Sequence, residues 1–246
     1  MEGTQQRRQR GFTLIEMMIA LLLMTIVAGA VFQQVGEAQK RSTVEQTKLD
    51  IFQETRDFMD QMTRDLHQAG YPNVHNFANS TVSVDSAGHP IDTRVAVGLV
   101  KVNYDTLMFE GDVDGTGTVS SVQYTVSTTG DGCPCLRRSQ IAKSTTDPMN
   151  PGTPVYWTEV QYVQNGTSTS PIFYAYDTHN NLVTLPIDYT NNATTISTIS
   201  TIKVVLTAQS PHIDLQTGQK PSVTLTSTVK VNNCSAAAPA QTMSCQ

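Results

Sequence analysis

The densest run of apolar residues lies near the start of the chain, from Phe12 to Phe32 (FTLIEMMIALLLMTIVAGAVF), and one charge, Glu16, interrupts it. As an α-helix this run is about 31 Å long, the thickness of a bilayer's hydrocarbon core. Further on, apolar positions recur at Val35, Ala38, Leu49, Phe52, Met59, Met62 and Leu66, with Glu45, Lys48, Asp57, Asp60 and Arg64 between them. Steps of three and four predict an amphipathic continuation of the same helix. No proline occurs before Pro72, which with Gly70 supplies a stop signal. One helix over Phe12–Ala69 is therefore expected, roughly 87 Å long. Helices of that length serve as coiled coils, membrane spans or filament spines.

From Tyr71 onward the period changes to two. Val122, Tyr124 and Val126 share a face, as do Ile202, Val204, Leu206 and Ala208, and Val223, Leu225, Val229 and Val231 alternate with threonines and Lys230. Further strands are expected within Arg94–Val102, Tyr104–Glu110, Val155–Gln164 and Ile172–Tyr176, with breaks at Thr145–Pro154, Asn165–Pro171 and Thr190–Thr195. Short strands between turn signals predict an antiparallel sheet, one face of which the amphipathic helix can cover. The fold class expected is α+β. The chain divides into a basic leader (1–11), a membrane-grade half-helix (12–33), an amphipathic half-helix (34–70) and a strand-rich head (71–246).

Composition agrees with this division. Apolar residues make up 39% and charged residues 15%, against about 45–50% and about 25% in ordinary globular domains. Threonine fills the gap, which favours polar sheet faces over a helical enzyme. The net charge of −5 leaves no footprint for nucleic acid. The sign is reversed at the start, where Arg7, Arg8 and Arg10 face only Glu2. Positive charge just before an apolar helix keeps the N-terminus cytoplasmic and directs the rest outward.

Three fates suit such a segment: an uncleaved anchor, a secretory signal cleaved after Ala30 to free a soluble binding protein or enzyme starting at Val31, or cleavage between Gly11 and Phe12 that leaves the apolar helix on the mature chain. Glu16 separates them. A carboxylate in an apolar span costs about 2.5–3.5 kcal/mol on insertion scales and needs a partner. The basic leader followed by Gly11-Phe12-Thr13-Leu14-Ile15-Glu16 and a long apolar run resembles the type IV prepilin signal. That resemblance implies cleavage after Gly11 by an inner-membrane prepilin peptidase, methylation of the new amine on Phe12 by the same enzyme, and pairing of Glu16 with an N-terminal ammonium during assembly. It also implies a pilin-like fold, with the long helix as spine packed on an antiparallel β-sheet head.

Segments of the head resemble PilW-type minor pilins: Arg64-Asp65-Leu66-His67-Gln68-Ala69-Gly70-Tyr71 at the helix end, Phe109-Glu110-Gly111-Asp112-Val113-Asp114-Gly115 with Tyr124 downstream, Ile172–Asp177 followed by Asn181-Leu182, and Ser227–Asn232. Many major pilins carry a helix-breaking proline where this chain has Gln33, a departure that fits a minor pilin or pseudopilin. The function implied is that of a structural minor pilin, held in the bacterial inner membrane as a precursor and then carried into a pilus or its tip, with no catalysis of its own. The partners implied are other pilins through the N-terminal helix, the peptidase/methyltransferase and the inner membrane. The nearest alternative is a J-type pseudopilin of a type II secretion system. Adhesion through the Asp112 turn or the aromatic strands is a further reading within the pilin class.

Other candidate chemistry is sparse. Asp112 and Asp114 occupy positions 1 and 3 of a calcium-loop pattern with glycine at position 6, but Gln123 stands where a bidentate carboxylate belongs. A hairpin turn is the simpler expectation, and calcium is the one cofactor left open. Cys133 and Cys135 lack thioredoxin spacing and a completing zinc pair, and export favours disulfides. A Cys234–Cys245 bridge would resemble the C-terminal disulfide loop of many pilins and leave Cys133–Cys135 as the second pair; cross-pairing of turn and tail stays open. None of His67, His75, His89, His179 and His212 belongs to a metalloprotease motif. Arg137-Arg138 reads as a solvated strand. Tyr156, Trp157, Tyr162, Phe173, Tyr174 and Tyr176 read as sheet packing ahead of a carbohydrate platform.

Overall fold

The computed structural model describes residues 11–73, 77, 82–83, 91–145, 147–214 and 217–231. Helix α1 runs over Leu14–His67 without interruption, within two residues of the expected bounds. The chain forms two compact units, Met1–Thr47 and Lys48–Gln246. In the first, residues 14–34 form one continuous turn-after-turn apolar helix with every side chain exposed. Its helix passes unbroken through Ala28-Gly29-Ala30, and it is long and apolar enough to cross a membrane.

In the second unit, the last turns of α1 pack on sheet. The buried face is Thr55, Phe58, Met59, Met62, Asp65 and Leu66, repeating at three and four as a helix must to keep one stripe inward. Met59, Met62 and Leu66 lie on it as the sequence pattern predicts, and the face is rotated toward Thr55, Phe58 and Asp65. Leu49 is 57% and Phe52 38% exposed, whereas Thr55 and Asp65, both polar, lie on the inward stripe. Thr55 is tolerated there because its hydroxyl donates to the Ile51 carbonyl at 2.7 Å.

The head contains two antiparallel sheets where one was expected. The larger has the order β5-β4-β3-β2-β1-β7, built from β1 (Leu99–Val102), β2 (Thr106–Gly111), β3 (Ser120–Ser127), β4 (Cys135–Ala142), β5 (Tyr156–Val160) and β7 (Ile187–Asp188). The smaller has the order β6-β8-β9, from β6 (Phe173–Asp177), β8 (Ile199–Gln209) and β9 (Ser222–Lys230). A five-residue helix, α2 (Ala193–Ser197), occupies part of the expected break before β8. One core joins α1 to both sheets, with Leu66, Phe109, Tyr124, Leu136, Phe173, Ile202 and Leu206 at or near zero exposure. Of the six aromatics expected to pack, only Phe173 is fully buried, and Trp157 is 55% exposed.

Candidate functional site

The start of α1 is built by its own side chains. Thr13 is the N-cap: its carbonyl accepts from the amides of Glu16 and Met17 at 3.1 and 3.2 Å. Its hydroxyl oxygen accepts from the Glu16 amide at 3.3 Å, and the Glu16 carboxylate accepts from the Thr13 amide and hydroxyl at 3.4 Å each. This reciprocal pairing at positions i and i+3 is a capping box, and it sets a carboxylate against the positive end of the helix dipole. Gly11 and Phe12 lie just before the cap, outside the helix. A new amine on Phe12 would therefore arise one residue from Thr13, at the end of the helix where Glu16 already sits. Past the cap, Ala20, Leu23, Met24, Val27, Ala28, Val31 and Phe32 form an apolar stripe on one helix face.

Two of the segments that carry the resemblance, Arg64–Tyr71 and Phe109–Gly115 with Tyr124, meet at the other end of α1. Asp65 Oδ2 accepts from Tyr124 Oη at 2.5 Å and from Arg138 Nε and Nη2 at 2.8 Å, and Asp65 Oδ1 accepts from Gln61 Nε2 at 2.8 Å. Burial, with the Asp65 carboxylate alongside, holds the Tyr124 phenol well above its ordinary pKa, so it stays a donor. Phe58 packs edge-on to Tyr124, ring centroids 5.6 Å apart. Arg138 is thus tied down by an ion pair, and the expectation of a solvated dibasic spot is corrected. Its neighbour Arg137 donates to the Thr129 carbonyl at 2.6 Å.

After Leu66 the chain crosses directly over β2. The Gly70 amide donates to the Glu110 carbonyl and the Asp112 amide to the Tyr71 carbonyl, each at 2.8 Å. Gly70 takes the left-handed backbone (φ 82°) that ends the helix. Beneath the crossing, Glu110 and Lys143 form a buried ion pair at 2.7 Å. Lys143 also donates to the Val95 carbonyl at 2.8 Å, and Glu110 accepts from the Val97 amide at 3.0 Å.

The β2–β3 turn shows how far Asp112 and Asp114 suit a cation. Asp112 Oδ2 accepts from the Gly117 amide at 2.9 Å, and Asp114 Oδ1 from the Thr116 amide and hydroxyl at 3.2 and 2.7 Å. These bonds hold Asp114 below its ordinary pKa. Only Asp112 Oδ1 is left buried without a partner. Calcium wants six to eight oxygens, and among the described residues no group of three His, Cys, Asp or Glu side chains is placed to hold a metal. The bonds that Asp112 Oδ2 and Asp114 Oδ1 accept come from the turn itself.

Cys133 and Cys135 are joined by a disulfide at the start of β4. Cys234, Cys245, His75 and His89 lie outside the described residues. The sequence did not single out the Glu110–Lys143 pair or the Asp65–Tyr124–Arg138 knot. Asp65, Glu110 and Tyr124 were legible only as letters in a resemblance, and no local spacing joins partners 33 to 73 positions apart.

Residues 6–32 match a family described as the prokaryotic N-terminal methylation motif. The matched span contains Gly11, Phe12, the capping box and the apolar stripe. Comparison with curated proteins returns no match. The chain carries the processing signal of type IV pilin-like and pseudopilin precursors, on an apolar helix consistent with inner-membrane anchoring, and its α+β architecture is pilin-like.

Proposed function

We propose that this chain is a minor pilin of PilW type in a bacterial type IV pilus, inserted in the inner membrane as a prepilin, cleaved after Gly11, N-methylated at Phe12 and drawn into the filament or its tip complex. The observation that carries the reading is Glu16. It stands inside the methylation motif, at the N-terminus of an exposed apolar helix, where a lone carboxylate is costly in lipid. The capping box satisfies it in part within its own helix. An N-terminal ammonium, its own or a neighbouring subunit's, would neutralise it where the dielectric is low. The apolar stripe from Ala20 to Phe32 then supplies van der Waals packing between helices in the filament core. Two of the head segments supporting the PilW reading, Arg64–Tyr71 and Phe109–Gly115, form the α1–β2 crossing. The proposal gives the chain no catalysis of its own.

The test is Glu16→Ala in the native host. The expected outcome is a correctly processed protein that stays in the membrane, with incorporation into filaments down by about tenfold or more, the size of one lost ion pair. Normal incorporation would remove Glu16 from the mechanism. A J-type pseudopilin shares every one of these features. Deletion separates the two, since loss of piliation supports the pilus and loss of protein secretion supports the secretion system.

A further inference from the structure

One surface of the head is unused by the processing and assembly just described. On the face of the larger sheet beside α1, the β2–β3 turn, β4 and the edge strand β5 enclose an open groove of about 570 Å³. Its wall is Trp157, the chain's one tryptophan, 55% exposed. Tryptophan is among the most buried side chains on average, so one left open at the mouth of a groove marks a contact surface.

Polar groups converge opposite the indole, and they are held in place. Arg138 is the cross-strand partner of Trp157 in the β4–β5 register, so the two side chains share a face. Asp65 fixes the Arg138 guanidinium at 2.8 Å. Gln140 accepts from Arg138 at 2.8 Å, and its amide nitrogen lies 3.3 Å from Asp114 Oδ2. Asp114 in turn holds Thr116. Glu159, two residues along β5 from Trp157 and on the same face, lines the adjoining cleft that Arg138 shares.

We propose that this groove binds a neutral saccharide. A pyranose presents one face of C–H bonds, which stack on an electron-rich indole, and a rim of hydroxyls that both donate and accept. Trp157 offers the first surface. Asp114, Thr116 and Gln140 offer acceptors and donors for the second. Charge selects the class: Arg138 is already neutralised by Asp65, so the Asp114 carboxylate leaves the groove net negative. Sialylated or uronic sugars are disfavoured there. The inference does not depend on the assembly route, because it concerns the head alone.

The lone tryptophan makes the test direct. Full-length protein in a detergent without a sugar headgroup is titrated with cellotriose, maltotriose and tri-N-acetylchitotriose, with sialyllactose as the charged counterpart, while tryptophan emission is followed. At least one neutral probe should give a saturable change at millimolar or lower concentration, and sialyllactose none. By calorimetry Trp157→Ala should weaken that probe about tenfold or more, and Trp157→Phe should keep part of the affinity. Gln140→Ala should weaken it while the head stays folded, as read by far-UV circular dichroism. No response to any neutral probe up to about 50 mM would overturn the proposal, since binding that weak is below any useful affinity. A stronger response to sialyllactose, or a response to protein concentration alone that marks a subunit contact, would overturn it equally.

Discussion

At the scale of single residues, Gly111 is fixed by its neighbour. Its backbone is ordinary strand, but any Cβ there would run into the Gln68 carbonyl where the chain leaves α1. Gly111→Ala should therefore force the crossing apart and cost about 1–3 kcal/mol, read as a lower denaturant midpoint. Breaking either ion pair leaves a charge behind. Asp65→Ala strands Arg138 and should cost about 3–5 kcal/mol. Tyr124→Phe removes one donor from an oxygen that keeps two others, and about 1 kcal/mol is expected. Lys143→Met should be as damaging as Asp65→Ala, because Glu110 stays buried. Adding Glu110→Leu should recover only part of the loss, since the Val97 amide and Val95 carbonyl still lack their partners. A double-mutant cycle on thermal melts measures this.

One carboxylate gives a pH signature. Burial, more than its neighbours, holds Glu159 above the ordinary value of 4.5. Just above pH 4.5 the folded head then binds more protons at this site than the unfolded chain does. Stability from Glu159 is complete below pH 4.5 and falls as pH rises through its raised pKa. Glu159→Gln should flatten that part of the melting profile between pH 4 and 7.

At the scale of elements, the sequence patterns told the kind of element better than its neighbours. Continuous apolar residues, an uninterrupted stretch without proline and the Gly70 stop are local signals, and α1 follows them. Met59, Met62 and Leu66 were legible in the stripe, but Thr55 and Asp65 were not, because they counted as polar. Their inward placement depends on Tyr124, Arg138 and the Ile51 carbonyl, none of which a helical wheel contains. Alternation marked β3, β8 and β9, and β2 was among the further strands expected, but of β4 only Arg137-Arg138 was read as strand, and as solvated. The division into two sheets was not legible, since strand order is set by packing between distant segments. Burial on α1 carries its own prediction. Met62, 1% exposed under the core, should cost about 2–5 kcal/mol when truncated to alanine. Leu49→Ala, on the exposed side, should cost under about 0.5 kcal/mol.

At the scale of the molecule, the chemistry of destination is concentrated in residues 11–16 and the chemistry of stability in the crossing of α1 over β2. The first was legible because a processing signal is a contiguous string that an enzyme must read. The second was legible only by resemblance, because its partners meet in space. The groove at Trp157 belongs to neither, and its aromatic had been assigned to packing because alternation alone does not tell an edge strand from an inner one. The central claim is that Phe12 becomes the first residue of a mature chain that keeps its apolar helix. Mass spectrometry and N-terminal sequencing of the protein from its native host test it directly. An N-methylated Phe12 is expected. A chain beginning at Val31, or one retaining Met1, would contradict it.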